Sequence, residues 1–245
     1  METLMAIGDR LYGRDAYQQS ATGRVVAQTD EGGLLLDAEL FYPTGGGQPG
    51  DAGELSWSGG RCQIDNTIKS AEGGSVLVPA EGSVLPPVGT EVTQSLDWDR
   101  RLGHMRVHTA LHLLSVVVPF EVSGGAITAA KGRLDFNMPE MPADKQALQD
   151  QLQCLIDRDL EVSESWITDA GLEANPQLVK TMSVSPPRGT GRVRLVRIGT
   201  EQEQVDLQPC GGTHVRSTAE IGRIRIGKME KKGKQNRRIY LHLEA

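Results

Sequence analysis

The stretch DWDRRLGHMRVHTALHLLSVVVP, residues 97–119, decides how this chain of 245 residues is organised. Asp97 can cap a helix, apolar residues recur at helical spacing after it, and Pro119 ends the pattern. His108 and His112 are four positions apart, so their imidazoles lie on one helix face, one turn apart, and can bind the same ion. The stretch therefore predicts a helix that supplies two ligands of a metal site.

A second pair with the same spacing, Cys210 and His214, lies in the segment PCGGTH. A cysteine and a histidine beside a Gly-Gly turn complete the mixed nitrogen and sulfur ligand set that tetrahedral zinc prefers. A lone HxxxH pair is commonly a packing or surface feature, but four of the five histidines fall in or beside these two segments. We therefore predict zinc bound by His108, His112, Cys210 and His214. Spacing alone leaves one alternative open, because His104 and His108 are also four positions apart.

The composition is that of a protein with its own core, since 38% of the residues are hydrophobic and 24% are charged. No stretch approaches the roughly 18 consecutive apolar residues that a membrane helix needs, and charged residues interrupt the N-terminus where a secretion signal would be apolar. Three scattered cysteines are too few for a disulfide framework. We expect a cytoplasmic protein without a membrane partner, and a monomer is the default expectation for its oligomeric state.

The charge of the chain is unevenly distributed. The net charge is −6, but residues 188–238 carry thirteen Lys and Arg against five Asp and Glu. A basic stretch of this kind can face nucleic-acid phosphates, although a solvated strand face is the commoner explanation. Because the stretch brackets the Cys-His pair, a polyanionic partner and a solvated face both remain open.

Two domains with different secondary-structure patterns are expected. Residues 1–93 contain short apolar runs separated by glycine and proline turns, which predicts a small β-barrel or folded sheet. Residues 94–245 begin with the helix at 97–118 and continue with a second predicted helix at 142–160, after which the pattern returns to strands. The fold class is therefore α+β: an N-terminal β-barrel domain followed by an α+β core with the zinc site. The predicted strands are at residues 25–27, 34–36, 53–57, 63–68, 75–78, 192–195, 223–226 and 236–243.

A third informative segment is FYPTGGGQPGD, residues 41–51, with three consecutive glycines. Such a run is unsuited to an ordinary strand interior and lets a backbone approach another group closely. It is not a Walker loop, because no Gly-Lys-Ser/Thr follows, and it lacks the spacing of a dinucleotide-binding fingerprint. A hairpin with a tight bend is the ordinary explanation, and a substrate-binding loop is the functional one.

Together, five segments resemble the stand-alone alanyl-tRNA editing proteins, which are relatives of the editing domain of alanyl-tRNA synthetase. In chain order, they are FYPTGGGQPGD (41–51), DWDRRLGHMRVHTALHLL (97–114), GRLDF (132–136), PCGGTHV (209–215) and KKGKQNRRIYL (231–241). The resemblance covers most of the chain. It implies the medium-sized form of these proteins, in which a barrel with the glycine-rich motif is joined to an α+β editing core.

The resemblance also implies an activity: hydrolysis in trans of mischarged tRNA(Ala), with serine as the chief amino acid removed and glycine as the second. In that family the two ligand pairs bind zinc, which assigns this role to His108, His112, Cys210 and His214 and leaves His104 as a neighbour. An aminoacyl ester is already activated, so its hydrolysis needs no ATP. It needs a positioned water, a stabilised oxyanion and a pocket that rejects alanine.

The remaining predicted contacts follow from position in these segments. A site built to hydrogen-bond a hydroxyl rejects alanine, since alanine would leave a buried polar group unpaired. The predicted substrate contacts are Thr44, Gly45, Gly46, Gly47, Gln48 and Thr109. The predicted contacts with tRNA phosphates are Lys228, Lys231, Lys232, Lys234, Arg237 and Arg238.

Two other functions stay open and a third is disfavoured. The editing domain of threonyl-tRNA synthetase also carries HxxxH and CxxxH pairs, although the glycine-rich segment argues against it. A non-catalytic RNA-binding module would use a closed site of one Cys and three His only to stabilise its fold, since catalytic zinc usually keeps a position open. Whether zinc acidifies a water, binds the substrate amino group or organises the site is likewise open. A zinc protease is disfavoured because HTALH contains no glutamate to act as base.

Overall fold

The computed structural model describes residues 9–71, 73–180 and 191–244. Contacts divide the chain into two units, Met1–Leu102 and Gly103–Ala245. Over the described residues, the first unit forms a closed antiparallel barrel of six strands in the order β1-β2-β5-β4-β3-β6, so the predicted barrel is confirmed. The strands are β1 (Ser20–Gln28), β2 (Leu34–Leu36), β3 (Gly53–Trp57), β4 (Gly60–Lys69), β5 (Ser75–Pro79) and β6 (Glu91–Leu96).

The barrel interior is filled by the inward-facing residues of these strands. Cys62 and Ile64 alternate with exposed neighbours on β4, as expected for a strand with one face in a core. They join a buried apolar cluster with Leu34, Leu55 and Val92. The core is mainly aliphatic, with Phe41 as its fully buried aromatic residue, which agrees with the low aromatic content of 4%.

Strand β6 was not predicted, and the predicted domain boundary after residue 93 lies inside it. The inward-facing residue Gln94 is polar and fully buried. Its amide nitrogen donates to the Ala38 carbonyl at 2.9 Å, and its amide oxygen accepts from the Leu40 N–H at 3.4 Å. Strand prediction depends on apolar residues at every second position. A buried glutamine whose hydrogen bonds are made by backbone groups interrupts that pattern, so the strand is missed.

Three α-helices are present among the described residues: α1 (Trp98–Val117), α2 (Lys145–Asp157) and α3 (Asp169–Glu173). Asp97 caps α1 by accepting from the Arg100 N–H at 3.1 Å, so the predicted start is confirmed. Asp144 caps α2 in the same way, accepting from Ala147 at 2.9 Å. None of these helices has the length and apolar character needed to cross a membrane.

The described part of the second unit contains two antiparallel sheets, with strand orders β12-β13-β8-β7 and β11-β10-β9. Helix α1 packs on the four-stranded sheet at Gly132, where an added Cβ would lie 2.7 Å from Val107 and 2.9 Å from Leu111. The strands are β7 (Val122–Ile127), β8 (Lys131–Asn137), β9 (Val162–Thr168), β10 (Arg192–Gly199), β11 (Gln204–Pro209), β12 (Ile224–Lys231) and β13 (Asn236–Leu243). Of these, β7, β8, β9 and β11 were not predicted.

Candidate metal centre

The four predicted ligands converge in the second unit. The donor atoms of His108, His112, Cys210 and His214 all lie within 4.8 Å of one another. Three of the residues are buried and Cys210 is half-buried. His104 is buried on the same helix, but it does not belong to this group among the described residues. The structure therefore decides the ambiguity of spacing in favour of His108 and His112.

The loop after β11 presents Cys210 to helix α1. The guanidinium Nη1 of Arg194, on the neighbouring strand β10, donates to the Cys210 carbonyl at 3.1 Å and to the Gly212 carbonyl at 2.7 Å. The other nitrogens of Arg194 are held by the Glu164 carboxylate on β9. A backbone N–H also points at the thiol, because Gly212 N lies 3.4 Å from Cys210 Sγ. The loop is thus held by the sheet that it leaves.

The donor set fits a tetrahedral zinc ion. With ordinary bond lengths, donor atoms on such an ion are separated by about 3.3 Å for two nitrogens and about 3.6 Å for nitrogen and sulfur. Cys210 Sγ lies 3.5 Å from His108 Nε2 and 3.3 Å from His214 Nε2. Three imidazoles and one thiol match the chemistry that zinc requires, and these two nitrogen–sulfur separations match its size.

The outer nitrogen of His112 is fixed by a buried carboxylate. His112 Nδ1 lies 3.1 Å from Asp206 Oδ2, and Gln208 Nε2 donates to the same carboxylate oxygen at 2.7 Å. The ammonium of Lys180 pairs with the other oxygen of Asp206. When Nδ1 donates its proton to Asp206, Nε2 is left to bind a metal ion, which is the arrangement found around many histidine ligands. Neither Asp206 nor Gln208 was predicted as a site residue.

Thr109 fixes the outer nitrogen of His214. The Thr109 hydroxyl donates to the Met105 carbonyl at 2.9 Å and accepts from the Val215 N–H at 3.3 Å. Its second lone pair faces His214 Nδ1 at 3.1 Å. The single donor and both acceptor positions of this fully buried hydroxyl are therefore used. Thr109 thus orients His214, and its predicted substrate contact stays a prediction.

Electrostatics favour the thiolate form of Cys210. Burial raises the pKa of the Cys210 thiol, but interactions with the neighbouring imidazoles of His108 and His214 lower that pKa well below its usual value. Burial lowers the pKa of His112, yet hydrogen bonds to Asp206 and Cys210 outweigh burial and raise this pKa to about 9. Burial lowers the pKa of His214 to about 3. These shifts favour a thiolate at Cys210 and a neutral imidazole at His214, and metal binding at His112 Nε2 would release a proton.

Replacing Asp206 by asparagine is expected to lower zinc affinity about 10- to 100-fold, because the neutral amide polarises His112 less and orients it less firmly. Competition with a chromophoric chelator measures this affinity. Glu201→Gln, which neutralises an exposed acid before β11, is the matched control and should leave zinc affinity unchanged. Equal affinities in the two variants would contradict the role assigned to Asp206.

The glycine-rich segment belongs to the barrel unit and contains a two-residue hairpin turn. Gly45 and Gln48 exchange two backbone hydrogen bonds, each 3.0 Å long. Gly46 and Gly47 between them have φ angles of 59° and 85°, the positive values that a type I′ turn requires. The triple glycine thus has a structural explanation. A substrate contact of Gly45, Gly46, Gly47 and Gln48 stays a prediction.

Thr44 uses its hydroxyl within this loop. The hydroxyl donates to the Thr67 carbonyl at 3.1 Å and accepts from the Gly50 N–H at 2.9 Å. Thr44 is nevertheless exposed, so the second lone pair of its hydroxyl oxygen remains available to another donor. The predicted contact with a substrate hydroxyl also stays a prediction.

The predicted tRNA contacts lie on β12, β13 and their connection. Arg237 is only 5% exposed, and its guanidinium donates to the carbonyls of Pro139 and Gly233. This side chain closes the hairpin, and its predicted contact with phosphate stays a prediction. Arg238 is partly buried and donates twice to the Asp135 carboxylate, at 2.6 and 2.8 Å. The exposed members of the set are Lys228, Lys231, Lys232 and Lys234.

Comparison with known proteins gives matches over both units. Residues 193–240 match the family model described as threonyl and alanyl tRNA synthetase second additional domain, and residues 15–100 match the model described as tRNA synthetases class II (A). The alanyl-tRNA editing protein AlaX-M of Methanosarcina acetivorans is 31% identical over 243 residues, which cover 95% of this chain and 98% of the relative. AlaX-M of Saccharolobus solfataricus is 30% identical, with 95% and 97% covered.

A longer relative also matches. The alanine–tRNA ligase of Pyrobaculum neutrophilum is 32% identical over 231 residues, which are 90% of this chain but 25% of the ligase. The similarity to this ligase is thus confined to a quarter of its length.

Proposed function

We propose a function from one premise: this chain belongs to the family of stand-alone alanyl-tRNA editing proteins. Its function is then to hydrolyse mischarged tRNA(Ala) in trans, with release of serine and, as the second amino acid, glycine. The observation that carries the proposal is the convergence of three imidazoles and one thiol, whose donor atoms lie within 4.8 Å of one another, in a chain that aligns with family members over nearly its full length. A tRNA substrate also implies action in the cytoplasm.

Zinc is the ion proposed for His108, His112, Cys210 and His214. Bound there, zinc would supply a Lewis acid close to the ester or to the attacking water. The protein's own part is to hold two imidazoles with Nε2 inward, through Asp206 and Thr109, and to keep Cys210 as a thiolate. These contacts are in place before a substrate arrives, so little reorganisation is needed during reaction.

The reaction is a hydrolysis that consumes one water. The water oxygen forms a bond with the ester carbonyl carbon, and the bond from that carbon to the ribose oxygen breaks. One proton of the water ends on the ribose hydroxyl, so the products are the free amino acid and uncharged tRNA(Ala). A preorganised site of this kind contributes mainly positioning and charge stabilisation, since the ester is activated already.

Recognition is proposed at two surfaces, one on each unit. The exposed tip of the glycine-rich hairpin, Gly46 and Gly47, is the proposed contact of the barrel unit with the substrate. The exposed lysines of the β12-β13 hairpin are the proposed phosphate contacts of the second unit. They are Lys228, Lys231, Lys232 and Lys234.

The test of this function is release of amino acid from charged tRNA. We expect serine release from seryl-tRNA(Ala) and at least about 100-fold slower alanine release from alanyl-tRNA(Ala), because alanine lacks the hydroxyl that the site would bind. Glycine lacks this hydroxyl too, so its release from glycyl-tRNA(Ala) should also be slower than that of serine. Radiolabelled amino acid, followed by acid precipitation of the tRNA, gives these rates.

Seryl-tRNA(Thr) is included as a fourth substrate, because the matched family model also covers threonyl-tRNA synthetases. A clear preference for seryl-tRNA(Thr) would mean that the substrate is mischarged tRNA(Thr) and not mischarged tRNA(Ala). Absence of release from all four substrates by folded, zinc-loaded protein would instead favour an RNA-binding module with a structural zinc.

A further inference from the structure

Trp166 is an exposed indole on strand β9, with 58% of its surface accessible. The strand order β11-β10-β9 makes β9 an edge of its sheet. Glu164 and Thr168, which alternate with Trp166 and share its face, are exposed as well. This edge of the sheet face is therefore open to solvent, and the indole presents a large flat apolar surface there.

The strand register puts Trp166 on the sheet face that carries the metal centre. Trp166 pairs with Arg194 on β10, and on the other side the Arg194 carbonyl accepts from the Cys210 N–H at 3.1 Å. Residues paired across neighbouring strands point to the same face, so these three form one row. Gln208 and Asp206 alternate with Cys210 along the chain and share its face. There, both side chains contact His112 of α1.

The length of this row suits one nucleoside. Neighbouring strands are about 4.8 Å apart, so the backbones at Trp166 and Cys210 are separated by about 10 Å. An aminoacylated ribose whose ester lies at the metal centre carries its base to one side, at a distance of this order. The row is also firmly held, because the Arg194 guanidinium joins the Glu164 carboxylate to the Cys210 and Gly212 carbonyls. A stacking surface there would keep a constant position relative to the ligand loop.

The charge near Trp166 suits a nucleotide. Arg192 alternates with Arg194 on β10 and lies on the same face, where it is exposed. A cation beside an aromatic ring is the combination by which proteins hold single-stranded nucleic acid, with the ring under a base and the cation near a phosphate. A tryptophan offers this stacking to any base, because every base has a π-face.

We propose that Trp166 is the platform on which the 3′-terminal base of the tRNA stacks while the ester of the same nucleotide lies at the metal centre. This rests on the proposed function and adds the element that recognises the end of the substrate. Trp166 acts in binding and takes no part in bond breaking. Its loss therefore affects substrate binding more than turnover.

Kinetics of seryl-tRNA(Ala) hydrolysis test the platform. Trp166→Ala is expected to raise KM about 5- to 150-fold with kcat nearly unchanged, the effect of removing one base–aromatic stack. Trp166→Phe keeps a ring and should restore KM to within a few-fold of wild type. Phe120→Ala removes another aromatic residue of the second unit, one that is 45% exposed, and should leave both constants unchanged.

A second readout does not depend on hydrolysis. Uncharged tRNA(Ala) should quench part of the tryptophan emission of the wild type, and this part should disappear in Trp166→Phe, which retains Trp57 and Trp98. An unchanged KM in Trp166→Ala overturns the proposal. A fall in kcat in both Trp166→Ala and Trp166→Phe also overturns it, because that result would indicate a structural role for Trp166. If the wild type releases no amino acid, the proposed function fails, and quenching alone decides for or against stacking.

Discussion

Replacing Cys210 by alanine is expected to reduce serine release from seryl-tRNA(Ala) by at least about 100-fold, and to lower the zinc content of the purified protein. Removing a residue that only supports a metal ligand costs about 10- to 100-fold, so removing the sulfur ligand itself should cost no less. A thiolate at Cys210, which its lowered pKa favours, would also balance the charge of a divalent cation held by this cluster. Rates of serine release and zinc content by atomic absorption measure the two effects.

The control for this variant is Cys154→Ala, which removes an exposed thiol on α2 and leaves the cluster intact. It should keep wild-type zinc content and rate. Cys210→Ala protein that retains both would contradict the proposed metal centre.

Chelation separates a catalytic from a structural zinc. A protein that keeps its circular dichroism spectrum and loses serine release when zinc is removed uses the ion for activity. A protein that unfolds on chelation uses it for stability, which is the usual role of a zinc ion with four protein ligands. The outcome bears directly on the choice between an editing enzyme and an RNA-binding module.

Replacing Arg101 by methionine is expected to lower the free energy of unfolding of the barrel unit by about 3–5 kcal/mol, the cost of leaving one charge of a buried pair uncompensated. Arg101 and Asp51 are both essentially inaccessible and form an ion pair. The guanidinium also donates to the carbonyls of Ala16 at 2.8 Å and Leu40 at 2.9 Å. Asp51 in turn accepts from the Tyr42 N–H at 2.6 Å, so the pair fastens the base of the glycine-rich hairpin.

Urea titration of the wild type and of three variants tests this expectation. Arg61→Met is the matched control, because the Arg61 side chain is 81% exposed and its pair with Glu54 is long, at 3.9 Å. It should change stability by less than about 1 kcal/mol. A double variant, Arg101→Met with Asp51→Leu, should recover part of the loss, since no lone charge remains buried. Equal midpoints for Arg101→Met and Arg61→Met would contradict the role of the buried pair.

The elements that were predicted well have uninterrupted local patterns. The apolar spacing of residues 97–118 predicted α1 to within a residue at each end, and β13 was predicted at its observed bounds. Each pattern can be recognised because every turn or pair of residues repeats it. β6 failed for the opposite reason: the polar residue Gln94 faces inward, and the backbone groups that satisfy it, on Ala38 and Leu40, are more than fifty residues away in sequence.

The candidate site divides in the same way. Each ligand pair is local, since His108 and His112 lie on one helix and Cys210 and His214 on one loop. Spacing therefore predicted the pairs. Their supporting residues are not local: Asp206 lies 94 residues from His112 in sequence. Nothing in a single segment indicates which carboxylate will reach which imidazole.

The sequence by itself determined the chemistry that this protein can perform: a nitrogen and sulfur donor set, a helix that presents two of the donors, and a barrel with a glycine-rich hairpin. Only the tertiary structure decided that His104 is not in the cluster, that Thr109 orients His214, and that Arg237 is buried. It also put Trp166 on the sheet face that carries Cys210 and Asp206. The physical reason is that spacing along one element sets which of its side chains share a face, whereas the packing of distant elements sets what that face meets.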